Sequence, residues 1–167
     1  MNSNVSDLIV RYRDKGILID TNLLLVLLVG NVNPSWVGRV GKTAKYSEED
    51  YELVRDILVQ FNRFILIPQV LTETGNLIKR NSGNASANED LNLEILKFVH
   101  NDATSEARVL SKRIVVQRAF QNLGYADAAI IQTAIRGHLI FTDDGPLQSM
   151  AWNSGVEVLP FDWLRNA

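Results

Sequence analysis

Four carboxylates stand where a chain could do chemistry with them: Asp20, Glu73, Asp127 and Asp144. Asp20 ends the apolar run Ile17-Leu18-Ile19. Asp144 follows Leu139-Ile140-Phe141-Thr142, with Asp143 directly before it. Buried parallel strands read this way when they deliver an acid to the carboxyl edge of a sheet, and open α/β sheets bind ligands at that edge. Glu73 lies in a helix-like segment after a second apolar run, and Asp127 opens a later helix.

Each acid alone has a plain structural reading. Asp20, Asp127 and Asp144 suit the first turns of helices, where an acid caps free N–H groups or meets the helix dipole. Glu73 suits a solvated helix face. Gly75, two residues on, costs about 0.5–1 kcal/mol against alanine inside a helix, so it is expected to mark the close approach of another backbone. Asp143 and Asp144 side by side repel each other unless a cation or solvent relieves them.

Taken together the acids ask for more. Several ionised carboxylates brought to one sheet edge need a compensating charge. The chain has no cysteine, so thiolate sites and cysteine nucleophiles are excluded. An oxygen-only ligand set selects hard cations, Mg²⁺ or Mn²⁺. The chemistry such sites serve is phosphoryl transfer or phosphodiester hydrolysis, in which metal polarises the phosphate and activates water.

The elements that must position these acids alternate in type. A short helix within 3–14 precedes a strand from Ile17 to Asp20 and a helix from Asn22 to Val29. Residues 30–46 read as a long loop. Ser47 caps an acid-rich first turn, continued at helical spacing by Tyr51, Val54, Ile57, Leu58 and Phe61. A strand from Phe64 to Ile67 leads into a helix opened by Pro68. Residues 81–88 read as a polar, mobile segment. Helices are expected at 89–100, at 108–122 and from Asp127 to Arg136. A strand from Leu139 to Phe141, a short helix from Pro146 and a last strand from Val156 to Leu159 complete the set. This alternation predicts an α/β fold of three layers, α/β/α, around a central, mostly parallel sheet.

The totals set bounds. With 167 residues the chain reads as one domain over 1–167, with 1–15 as an extension and 30–46 as its long loop. Seventeen basic and nineteen acidic residues leave a formal charge of −2, which does not advertise nucleic acid but leaves room for it where acids hold metal. Leu23 to Val29 is too short to span a bilayer, and the N-terminus lacks the apolar core of a signal peptide. No membrane association and a cytoplasmic location are therefore expected.

In spacing and order the chain resembles the PIN-domain nucleases. Their first strand ends in Asp-Thr/Ser-Asn/Ser, matched by Asp20-Thr21-Asn22. A glutamate follows in a helix after the second strand, matched by Glu73 in Pro68-Gln69-Val70-Leu71-Thr72-Glu73. An aspartate opens an Ala/Ile-rich helix, matched in Tyr125-Ala126-Asp127-Ala128-Ala129-Ile130-Ile131. A strand then ends in Thr-x-Asp with Phe or Leu three residues on, matched by Thr142-Asp143-Asp144 and Leu147. The resemblance covers about residues 16 to 159. It implies a metal-dependent ribonuclease in which Asp20, Glu73, Asp127 and Asp144, with Asp143 as the alternative to Asp144, hold one or two Mg²⁺ or Mn²⁺ ions. Thr21, Asn22 and Thr142 would orient those carboxylates or touch substrate.

The small VapC-type toxins of this family are neutralised by an antitoxin, and PIN domains commonly form homodimers, so both partners are expectations here. The chain departs from those toxins in the sixteen residues before its first strand and in the length of loop 30–46.

Further signals are weaker. Trp36, Arg39, Lys42 and Lys45 interleave an aromatic with cations and could grip RNA by stacking and phosphate contacts; a solvated loop around a packed tryptophan is the other reading. Gly41-Lys42-Thr43 follows no strand and lacks the first glycine of a phosphate-binding loop, so that motif is rejected. Lys112, Arg113 and Arg118 form a second basic group whose default is a solvated face. Asn76, one helical turn after Glu73, could support it. His100 and His138 have no partners at ligand spacing and read as structural. Two rivals stay open: a catalytically silent PIN-like module that binds RNA or protein, and a haloacid-dehalogenase-type phosphatase. The latter needs a second aspartate where this chain has Asn22.

Overall fold

The computed structural model describes residues 3–39, 41–81 and 85–166. Five strands form one parallel sheet among these residues: β1 (Ile17–Ile19), β2 (Phe64–Leu66), β3 (Thr104–Glu106), β4 (Leu139–Thr142) and β5 (Val158–Pro160), in the order β3-β2-β1-β4-β5. The helices are α1 (Ser3–Tyr12), α2 (Thr21–Val32), α3 (Glu48–Leu58), α4 (Pro68–Asn81), α5 (Ala85–Val99), α6 (Ser111–Ile114), α7 (Arg118–Leu123), α8 (Tyr125–Ala134), α9 (Gly145–Asn153) and α10 (Asp162–Arg165). With this strand order, the right-handed crossovers that are the rule for parallel strands put α2 to α5 on one face of the sheet and α6 to α9 on the other. The packing of α2 on α3, α4 and α5, and of α8 on α6 and α7, agrees. The expected three-layer α/β/α fold with a parallel sheet is the fold observed. Among the described residues no helix is long and apolar enough to cross a membrane.

Burial explains the central elements. Helix α2 is apolar on all sides and buried from Leu23 through Gly30, as a helix without a polar face must be. Strands β1 and β4 are buried at every residue and lie side by side, with Ile17, Leu18 and Ile19 opposite Leu139, Ile140 and Phe141. Helix α3 starts in a capping box: Ser47 and Asp50 each accept the other's backbone N–H, at 3.3 and 2.9 Å.

Several expectations need correction. Helix α2 continues past Val29 to Val32, so Gly30 is not a loop residue. A Cβ there would lie 2.1 Å from the Tyr51 ring; this is the glycine at which two helices meet. Among the described residues a Cβ at Gly75 would meet nothing within 4 Å, so the close approach expected there is not found among them. Residues 85–88, expected to be mobile, begin α5, while 82–84 lie outside the described residues.

Strand β3 was not anticipated. It is the polar, half-exposed edge segment Thr104-Ser105-Glu106 and carries no apolar run to announce it. The helix expected over 108–122 is two short helices separated at Val115-Val116-Gln117. Adjacent β-branched residues weaken a helix, and Val116 is 72% exposed, so no packing holds the segment helical.

Strands β1 and β4 are the switch point of the sheet. From β1 the chain moves outward to β2 and β3; from β4 it moves the opposite way to β5. The crevice beyond the carboxyl ends of such a pair is where open α/β sheets bind ligands.

Candidate active site

Asp20, Glu73, Asp127 and Asp144 line one cavity of ≈ 160 Å³ at this switch point, together with Thr21, Asn22, Lys42 and Leu147. The acids come from four separate segments: the end of β1, the second turn of α4, the first turn of α8 and the end of β4. Asp143 is not among the lining residues, so Asp144 is the acid that β4 presents to the cavity.

Asp20 is 3% exposed. Its Oδ1 accepts the Leu23 N–H at 2.9 Å and caps α2, while its Oδ2 accepts the Thr142 hydroxyl. The capping role and the cavity role thus coexist in one side chain. Burial, then the charges of Asp143 and Asp144, push its carboxyl up to about 7 against the pull of these two hydrogen bonds. Asp144 likewise caps α9, its Oδ1 accepting the Leu147 N–H at 2.8 Å. Its own N–H donates to Thr142 Oγ1 at 2.9 Å. One threonine therefore couples the two strand ends.

Asp127 differs. It sits in the first turn of α8, but the cap position is Gly124, with no side-chain hydrogen bond. Burial, followed by the charges of Asp144 and Glu73, raises its carboxyl to about 6, and among the described residues no hydrogen bond opposes the rise. A purely structural role explains this acid least. Glu73 is exposed, and its Oε2 accepts the Thr21 hydroxyl at 3.2 Å. Among the described residues, no three acidic or histidine side chains are already drawn to metal-ligand spacing.

Asp143 faces a different set of partners. Its Oδ2 accepts the Tyr46 hydroxyl at 2.7 Å and pairs with Lys45 Nζ at 2.5 Å, while its Oδ1 is buried without a partner among the described residues. Tyr46 is clamped in turn. Arg165 forks onto Asp50 at 2.7 Å through both Nε and Nη2, and its guanidinium lies 5.5 Å from the Tyr46 ring centroid. This network ties the 41–46 segment, with Lys42, to the end of β4. Tyr46 and Arg165 escaped the sequence reading because nothing local marks a residue whose partner is about a hundred positions away.

The remaining sequence-selected residues fall elsewhere. Trp36 is half-buried against the core, and Arg39 is exposed. Lys112 and Arg113 lie exposed on α6, and Arg118 lines a separate cavity with Gln117, Asn122 and Asn153. Asn76 borders not the acid cavity but a groove next to it, which shares Glu73. His100 and His138 each bond a backbone carbonyl through Nδ1, of Leu96 at 3.0 Å and Lys15 at 2.7 Å, in keeping with structural roles.

A scan against protein-family models, a search of curated proteins and a search of solved structures each find no match to this chain.

Proposed function

We propose that the protein is a metal-dependent ribonuclease of the PIN type that hydrolyses RNA phosphodiester bonds. The observation that supports it most is the lining of the switch-point cavity by Asp20, Glu73, Asp127 and Asp144. Four acids from four segments, two of them carrying raised carboxyl pKa values, are a costly arrangement unless a cation uses them.

The donor set suits a hard divalent ion, since every ligand on offer is an oxygen. Asp127 borders the cavity from the first turn of α8 and Asp144 from the cap of α9, with the exposed Glu73 from α4; these three and Asp20 would hold Mg²⁺ or Mn²⁺. When bound, the metal polarises a phosphate oxygen and lowers the pKa of attacking water. The protein's own groups do the positioning. Thr142 fixes the Asp20 carboxylate, Thr21 fixes Glu73, and Lys42 offers a cation to phosphate oxygens entering the cavity. No protein nucleophile is required. Asn22 lines the cavity at the place where the rival phosphatase chemistry needs a second aspartate.

The test is cleavage of single-stranded and structured RNAs with Mn²⁺ or Mg²⁺, controlled by EDTA and by Asp20→Asn. Cleavage should vanish under both controls; cleavage that survives them overturns the proposal. A wild type that binds RNA without cutting it returns the reading to a silent RNA-binding module.

A further inference from the structure

Beside the acid cavity lies a larger groove of ≈ 410 Å³, lined by Pro68, Gln69, Thr72, Glu73 and Asn76 of α4 and by Tyr125 and Ala126 at the start of α8. Its size falls in the range of about 300–1,000 Å³ typical of small-ligand sites. Glu73 borders both spaces, so whatever fills the groove adjoins whatever fills the acid cavity.

The lining is of a particular kind. Gln69, Thr72, Glu73 and Asn76 follow the i, i+3, i+4, i+7 spacing of one helix face. Opposite them stands Tyr125, 37% exposed. Its ring is held in place at two points: the hydroxyl donates to Ser111 Oγ at 2.7 Å, and Phe120 meets the ring edge-on at 6.3 Å. A fixed, partly open aromatic ring is a stacking platform. The two amides, Gln69 and Asn76, each offer donors and an acceptor, as needed to meet the hydrogen-bonding edge of a base. Among the described residues no lysine or arginine lines the groove.

We propose that this groove receives the base of the nucleotide next to the cleaved phosphodiester in single-stranded RNA, stacked on Tyr125 and read by Gln69 and Asn76. The inference rests on the nuclease reading and extends it from phosphate chemistry to base recognition.

The experiment measures kcat and KM on short single-stranded RNAs for wild type, Tyr125→Ala, Tyr125→Phe and Asn76→Ala, with melting temperatures to confirm folding. Tyr125→Ala should raise KM by about 10-fold, the scale of one lost stacking contact, with kcat little changed. Tyr125→Phe, which keeps the ring but loses its hydroxyl anchor on Ser111, should raise KM less than Tyr125→Ala does, and Asn76→Ala should alter base preference beside the cut. A substrate lacking that one base should bring wild type down to the level of Tyr125→Ala and leave the variant unaffected. A merely structural tyrosine would not produce that pattern. Wild-type KM and cleavage pattern in both alanine variants overturn the subsite and leave the nuclease reading standing. If wild type cuts no RNA, the nuclease reading falls, and affinity for the same RNAs in EDTA decides the groove. Weaker binding by Tyr125→Ala then upholds base recognition, and equal or absent binding overturns it.

Discussion

The Thr142 hydroxyl donates to Oδ2 of Asp20 across the seam between β1 and β4, while Thr142 Oγ1 itself accepts the backbone N–H of Asp144 at 2.9 Å. The contact follows from strand register: Ile19 lies opposite Phe141, so the next residue of each strand falls side by side. Thr142 is wholly buried. Thr142→Val keeps the shape but strands a buried carboxylate oxygen and a backbone donor. It should destabilise the protein by about 1–3 kcal/mol, and Thr142→Ser should recover most of that loss. Denaturant unfolding of both variants checks it; equal stability of the valine and serine forms would count against the role assigned to this hydroxyl.

Burial raises Asp20 to about 7 and Asp127 to about 6 in the folded protein, whereas both titrate near 3.8 when unfolded. The folded state therefore holds protons that the unfolded state has lost. Metal-free stability should be greatest below about pH 4 as far as these two groups are concerned, and should decline as pH rises to 7, on the order of 4 kcal/mol for Asp20 alone. A divalent cation binds the ionised form and offsets the decline. Melting curves with and without Mn²⁺ should show a larger metal-induced rise at pH 8 than at pH 5. Equal rises at both would refute the linkage.

Asp20→Asn separates stability from activity. Asparagine still caps α2 and removes a buried negative charge. The metal-free variant should melt higher than wild type at pH 8, yet lose RNA cleavage by about 100-fold or more, as when one preorganised electrostatic group is removed. Calorimetry paired with a cleavage assay reads both. An active, destabilised variant would contradict the assignment.

Lys42 is exposed and lines the acid cavity, whereas Lys112 and Arg113 lie on α6 outside it. Lys42→Ala should weaken RNA binding and reduce the salt dependence of affinity by about one phosphate contact. Lys112→Ala should leave the salt slope unchanged. Titrations of RNA at several salt concentrations distinguish the two positions.

The glycines of α2 and α4 should respond in opposite ways to alanine. Gly30→Ala drives a methyl group into the Tyr51 ring and should cost about 1–3 kcal/mol. Gly75→Ala meets open space in a helix interior and should stabilise by about 0.5–1 kcal/mol. Thermal melts of the two variants suffice, and a shift in the same direction would be inconsistent with the geometry.

Much of the architecture was legible because it is written in local patterns. Apolar runs ending in acids marked β1 and β4, Ser47 and Pro68 marked helix starts, and strand–helix alternation implied a parallel sheet. Where local pattern is silent, reading failed. The polar edge strand β3 has no signature apart from its neighbour β2, and the break between α6 and α7 depends on Val116 finding nothing to pack against. Gly30 and Gly75 look alike in sequence; only Tyr51 makes one of them indispensable.

The sequence by itself determined which side chains could take part: four acids, no cysteine, and strands that end in carboxylates. Tertiary structure decided which of them meet. Residue spacing along a chain says nothing of distance across a sheet, and it took the pairing of β1 with β4 to place Asp20 beside Thr142 and Asp144. It likewise turned Asp143 toward Lys45 and Tyr46, away from its neighbour's cavity. Of the two neighbouring aspartates just past the end of β4, Asp144 lines the cavity while Asp143 is taken up by Tyr46 and Lys45.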